Sequence, residues 1–78
     1  MAVRAYVLVE ATIGKVAQAA QAIRALPGVT AAEVVAGPYD IIACIEGESA
    51  EHVGRLVMEK VHTIPGVSYT MTCVVVSP

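Results

Sequence analysis

Apolar and polar positions alternate from the first residues of the chain. In "VRAYVLVE", Val3, Ala5, Val7 and Val9 fall on one side of a two-residue period. Arg4, Tyr6, Leu8 and Glu10 fall on the other, so a β-strand is predicted whose second face carries Tyr6 and Leu8 at its centre. In "TIGKVAQAAQAIRALPG" the period changes. Ile13, Val16, Ala17, Ala20, Ile23 and Leu26 recur at three and four, opposite Lys15, Gln18, Gln21 and Arg24. That is an amphipathic helix, with Thr12 as its expected N-cap and Pro27-Gly28 as its stop. "VTAAEVVAG" and "YDIIACIEG" read as two further strands. "SAEHVGRLVMEKVHTIPG" reads as a second helix, capped by Ser49, with Ala50, Val53, Val57, Val61 and Ile64 as its apolar stripe. "VSYTMTCVVV" is the last strand.

The chain echoes itself. "LPGV" at Leu26–Val29 returns as "IPGV" at Ile64–Val67, each time where a helix stops and a strand begins. Strand-helix-strand therefore occurs twice, joined by a tight hairpin. This predicts an α+β, ferredoxin-like βαββαβ fold in a single domain, residues 1–78. Right-handed crossovers put both helices on one face of a four-stranded antiparallel sheet, in the order 4-1-3-2. The other face ought to be polar if it meets water. Tyr6, Leu8 and the alternation of Ile42 and Cys44 with Ile41, Ala43 and Ile45 say otherwise. A symmetric dimer packed sheet to sheet is expected, with higher assembly beyond it.

Composition points the same way. The chain has 78 residues, 56% of them hydrophobic and only 15% charged, against about 25% charged in ordinary proteins. A domain this small buries only about 60% of its unfolded surface, so the excess apolar surface calls for a partner subunit. Arg4, Lys15, Arg24, Arg55 and Lys60 are scattered and net charge is −2, which argues against direct nucleic-acid binding. No run reaches the roughly 18 apolar residues of a membrane span, and no signal peptide is evident. A cytoplasmic protein is expected. Cys44 and Cys73 match no metal spacing and read as buried small hydrophobes. In the expected strand order they sit about 9–10 Å apart across the first strand, too far for an internal disulfide.

Candidate chemistry is sparse. No serine and histidine come with an orienting acid, and no cofactor loop is present. His52 and His62 are ten positions apart, which leaves them about 80° and nearly three turns apart on a helix, too far to share a metal. Both read as surface residues. Glu46 and Glu48 read as solvated loop charges. What remains is Gly37-Pro38-Tyr39-Asp40. As a plain turn it is well formed: Gly37 permits positive φ, Pro38 presets its own, and Asp40 can bond nearby N–H groups. As a site it offers a phenol and a carboxylate.

"AGPYDIIACIEG" resembles the Gly-x-Tyr-Asp segment of the ligand-binding (RAM) domain of the Lrp/AsnC transcription regulators. "IPGVSYTMTCVVV" resembles that domain's last strand, where Pro-Gly-Val precedes Thr-x-Thr and a β-branched run. The order of elements agrees over essentially the whole chain. The resemblance implies a non-enzymatic module that binds an amino acid or related effector between dimers of a ring, as an octamer or decamer. By motif position it implies a ligand-binding set of Gly37, Pro38, Tyr39, Asp40, Thr70, Thr72 and Val74, with no cofactor. The resemblance has one gap. Met1 stands directly ahead of the first strand, where a regulator has a helix-turn-helix domain. A stand-alone module is expected, reaching transcription through a partner such as a full-length regulator. Two other readings are a small dimeric ferredoxin-like enzyme, of the cofactor-free monooxygenase or lactone isomerase kind, and a purely structural assembly element. The absence of Trp and Phe leaves little to line such an enzyme's pocket.

Overall fold

Strand β1 (Val3–Ala11) is the centre of the molecule. Its alternation is realised: Ala5, Val7 and Val9 are fully buried, and Arg4 and Tyr6 are exposed. The computed structural model describes residues 2–76. After β1 come α1 (Val16–Arg24), β2 (Val29–Val34), β3 (Ile41–Gly47), α2 (Ala50–Leu56) with a π-helical continuation over Val57–Val61, and β4 (Val67–Val74). The sheet order is β2-β3-β1-β4, antiparallel throughout, which is the expected 4-1-3-2 read from the other edge.

The core is the single layer between helices and sheet. Ile41, Ala43 and Ile45 of β3 and Ala32 of β2 meet Ala19, Ala20 and Ile23 of α1 and Val53, Val57 and Val61 of the second helix. All are apolar, and among the described residues no polar side chain is buried. The Pro-Gly echo has one physical cause at both copies. Gly28 and Gly66 take φ of 90° and 96°, a left-handed turn that glycine alone makes without strain. At Gly28 a Cβ would also lie 2.8 Å from the Glu46 carbonyl oxygen, so the chain has no room for a side chain there.

Three local expectations are corrected. The first helix starts at Val16, with Lys15 at its N-cap and no side-chain cap, rather than at Thr12. Gly14, at φ 85°, turns the chain before the helix and leaves Ile13 97% exposed. Ala19 takes the inward place assigned to Ala17, which is exposed. In the second helix Ser49 does cap, accepting a hydrogen bond from His52 N at 3.0 Å. Its stripe begins at Val53, because Ala50 is exposed. The π-helical turn, in which His62 N donates to the Val57 carbonyl, keeps Val57 and Val61 both in the core. Finally, the cysteines are not interior. Cys44 is half-buried and Cys73 exposed, both as free thiols. They pair in register with Tyr6 from either side, so they share the sheet face that the helices leave open.

That open face has a definite pattern. Register places Ile42, Leu8 and Met71 in one row across three strands, and Cys44, Tyr6 and Cys73 in the next. Arg4 opposite Glu46 closes one end and Glu10 lies toward the other, while Glu33 on edge strand β2 stands beside Ile42 at the side of the Leu8 row.

Candidate functional site

The β2–β3 connection is held by three hydrogen bonds. Val35 N donates to the Asp40 carbonyl at 2.9 Å, which closes the turn on itself. Asp40 N donates to the Val9 carbonyl, also at 2.9 Å. Ala11 N donates to Asp40 Oδ2 at 2.8 Å. The β1–β3 ladder ends at Val9 and Ile41, so Ala11 has no strand residue to pair with on that side. The Asp40 carboxylate takes the place of one. The Asp40 side chain thus bonds a strand 29 residues away rather than its own turn, which corrects the local side-chain role expected of it. Gly37 also departs from expectation: its φ is not positive, and a Cβ there would meet nothing within 4 Å. Pro38 is exposed, and Tyr39 and Asp40 are half-buried.

The Tyr39 phenol reaches across the open face. Its hydroxyl donates to Met71 Sδ at 3.7 Å, and Met71 sits in the row with Leu8 on β1. Asp40 Oδ2 is engaged by Ala11; Oδ1 has no partner among the described residues. One carboxylate oxygen is therefore free to meet a ligand cation at the end of the sheet.

The strand residues lie elsewhere. Thr70, Thr72 and Val74 are opposite Val9, Val7 and Ala5, so they point to the helix side of the sheet. The helices do not reach over this edge strand, and Thr72 and Val74 are exposed while Thr70 is half-buried. Thr70 Oγ1 hydrogen-bonds His62 Nε2. His62, Val67, Ser68, Tyr69 and Thr70 line a shallow concavity of about 340 Å³ there. Ser68 donates its hydroxyl to the Glu10 carbonyl at 3.1 Å.

The structure thus brings the turn and Thr70 to the same end of the sheet, with β1 between them but on opposite faces, while Thr72 lies at mid-strand opposite Val7 and Val74 toward the far end opposite Ala5. A small ligand touching the Tyr39 phenol cannot also touch the Thr72 hydroxyl of the same protomer. His62 is the polar group that the sequence reading left on the surface without a partner. A signal for it existed: the Pro65-Gly66 turn reverses the chain directly after the helix, so the last helical residues must return alongside the start of β4.

The chain is similar to known proteins in sequence and in fold. An uncharacterized HTH-type transcriptional regulator of Pyrococcus furiosus is 40% identical over 57 residues, which are 73% of this chain and 38% of that protein. The chain therefore spans well under half the length of the curated relatives it matches. A crystal structure of a Thermus thermophilus protein superposes with a TM-score of 0.92 at 28% identity, over 97% of this chain and 95% of that chain. The crystal structure of a transcriptional regulator of Neisseria meningitidis in complex with L-Met superposes with a TM-score of 0.83, over 96% of this chain and 50% of that one. At 17% identity, that last likeness is one of fold. The model of the Lrp/AsnC ligand binding domain matches residues 4–78, and the chain belongs to that family.

Proposed function

We propose that the chain is a non-enzymatic module that binds an amino acid, or a closely related zwitterion, at a site completed between copies of itself. The carrying observation is the division of the motif. Gly37-Pro38-Tyr39-Asp40 lies at the Val9–Ala11 end of β1 and meets the open face through Tyr39, whereas Thr70, Thr72 and Val74 run from that end toward the other along the helix side of β4. If both halves serve one ligand, two subunits must supply them. Asp40 Oδ1 suits an ammonium group, and threonine hydroxyls suit a carboxylate. Val74 and the exposed end of β4 supply an apolar wall for the side chain.

The open face supports the assembly. Its centre is Leu8, Ile42, Met71, Tyr6, Cys44 and Cys73, with Tyr6 and Met71 about two-fifths exposed at 42% and 41%. Charges sit at its margins. An apolar centre with a polar rim is the anatomy of a protein interface, and a self-complementary face makes a twofold dimer. Further association of such dimers, as an octamer or decamer, would juxtapose one protomer's turn with another's edge strand. A partner carrying a DNA-binding domain, in the cytoplasm, would couple effector binding to transcription. The family is one of regulatory ligand-binding domains, which supports binding rather than catalysis as the output.

Calorimetric titration with each of the twenty amino acids tests the reading. It begins with L-methionine, because a regulator of the same fold was crystallised in complex with it. Saturable heat is expected for at least one of them at micromolar to millimolar concentration. No heat from any at millimolar ligand would contradict it.

A further inference from the structure

We propose that His62 is a positioning residue that sets the polarity of the Thr70 hydroxyl, so that the pair recognises a carboxylate and makes its binding proton-linked. This rests on the reading of Thr70 as part of the effector site. His62 Nε2 and Thr70 Oγ1 are hydrogen-bonded at the mouth of the concavity that Val67, Ser68 and Tyr69 complete. A threonine hydroxyl has one proton and two lone pairs. If the imidazole accepts, that proton is used within the pair and the concavity is offered only lone pairs, which repel an anion. If the imidazole donates, the hydroxyl proton is released to point outward at a ligand oxygen. A protonated imidazole can only donate, so protonation fixes the second arrangement and adds a positive charge beside it.

The surroundings leave His62 in control of that polarity. From its own helix Glu59 and Lys60 are exposed to solvent. From β4, Ser68 and Tyr69 flank the concavity. From β1, Val9 stands opposite Thr70, and Glu10 stands opposite Tyr69, on the other face. Lys15 packs its stem against the Gly66 turn. Among the described residues no carboxylate lines the concavity, and His62 is the one lining side chain that gains positive charge. A carboxylate is the ligand group that uses both an outward hydroxyl proton and an adjacent imidazolium. Neither an α-carboxylate nor an α-ammonium changes charge near neutral pH, so the proton linkage belongs to the protein.

The test is the affinity for L-methionine between pH 5.5 and 8.5, with sodium propionate as a second probe that carries a carboxylate and no ammonium. In the wild type, L-methionine affinity is expected to fall about tenfold across that range, the difference between a charge-assisted and a neutral hydrogen bond. His62→Gln keeps a neutral donor and should bind with a flat pH profile; His62→Ala and Thr70→Val should bind more weakly at every pH. A wild-type profile no steeper than that of His62→Gln would overturn the proposal. If L-methionine fails to bind the wild type at all, the amino-acid reading is at fault for that ligand, and propionate still decides the pair. Shifts of the His62 and Thr70 NMR resonances with propionate, larger at pH 5.5 than at 8.5, would uphold it; no shift would overturn it.

Discussion

Asp40→Ala is expected to remove effector binding and to cost about 1.5–3 kcal/mol of stability, the worth of a hydrogen bond to a charged group. Both effects come from one side chain with two employments. Oδ2 holds the Ala11 N–H beyond the end of the β3 ladder, and Oδ1, without a partner among the described residues, is the atom proposed to meet the ligand. The two can be separated. Asp40→Asn retains an amide oxygen for Ala11 but has no charge for an ammonium group. It should lose less than about 1 kcal/mol in urea denaturation while its effector affinity drops more than tenfold. If Asp40→Asn binds as the wild type does, the carboxylate charge is not a ligand contact. If Asp40→Ala is as stable as the wild type, the clamp on β1 contributes nothing.

Leu8→Asp should convert the proposed sheet-to-sheet dimer to a monomer that keeps its fold. Leu8 is the middle of the Ile42–Leu8–Met71 row on the open face, and its partners in the protomer are neighbours on that face rather than the helix-side core. The aspartate is therefore tolerated in a monomer, where it meets water. In a sheet-to-sheet dimer it would be an unpaired charge taken out of water, near its own symmetry mate. Penalties of several kcal/mol follow, so the dimer dissociation constant should rise by at least about a thousandfold, a step of roughly 4 kcal/mol. Sedimentation of the wild type and the variant at micromolar concentration reads this directly. A wild-type protein that is already a monomer, or a variant that remains a dimer, would contradict the interface.

These two residues also show what could and could not be read before the structure. The place of Leu8 was legible because a strand's period is strict: once Val3, Ala5, Val7 and Val9 face inward, Leu8 must face out. The ends of both helices were legible because Pro-Gly marks a left-handed turn wherever it follows a helix, as Gly28 and Gly66 do. The helix start was not, because Ile13 continues the apolar spacing while Gly14 breaks the geometry. Cys44 and Cys73 were misplaced by their type: cysteine is usually interior, but their phase along β3 and β4 puts them on the uncovered face. The motif residues were identifiable by their resemblance, yet their arrangement was hidden. Nothing local to Asp40 names Ala11 as its partner, and nothing in "SYTMT" says that Thr70 meets His62 rather than the turn.

The central claim is that the turn of one subunit and the edge strand of another make a single site. Subunit mixing tests it most directly. Asp40→Asn chains lack the ligand charge of the turn half, and Thr72→Val chains lack a hydroxyl of the strand half, so neither alone should bind the effector at wild-type affinity. Co-refolded in equal amounts, random assembly would pair an intact turn with an intact strand at about one site in four. Calorimetry of the mixture should then recover about a quarter of the wild-type capacity at wild-type affinity. If the site lay within one protomer, every site in the mixture would still carry one lesion. Full loss of wild-type-affinity binding in a mixture shown to contain both chains in the same oligomer would contradict the account.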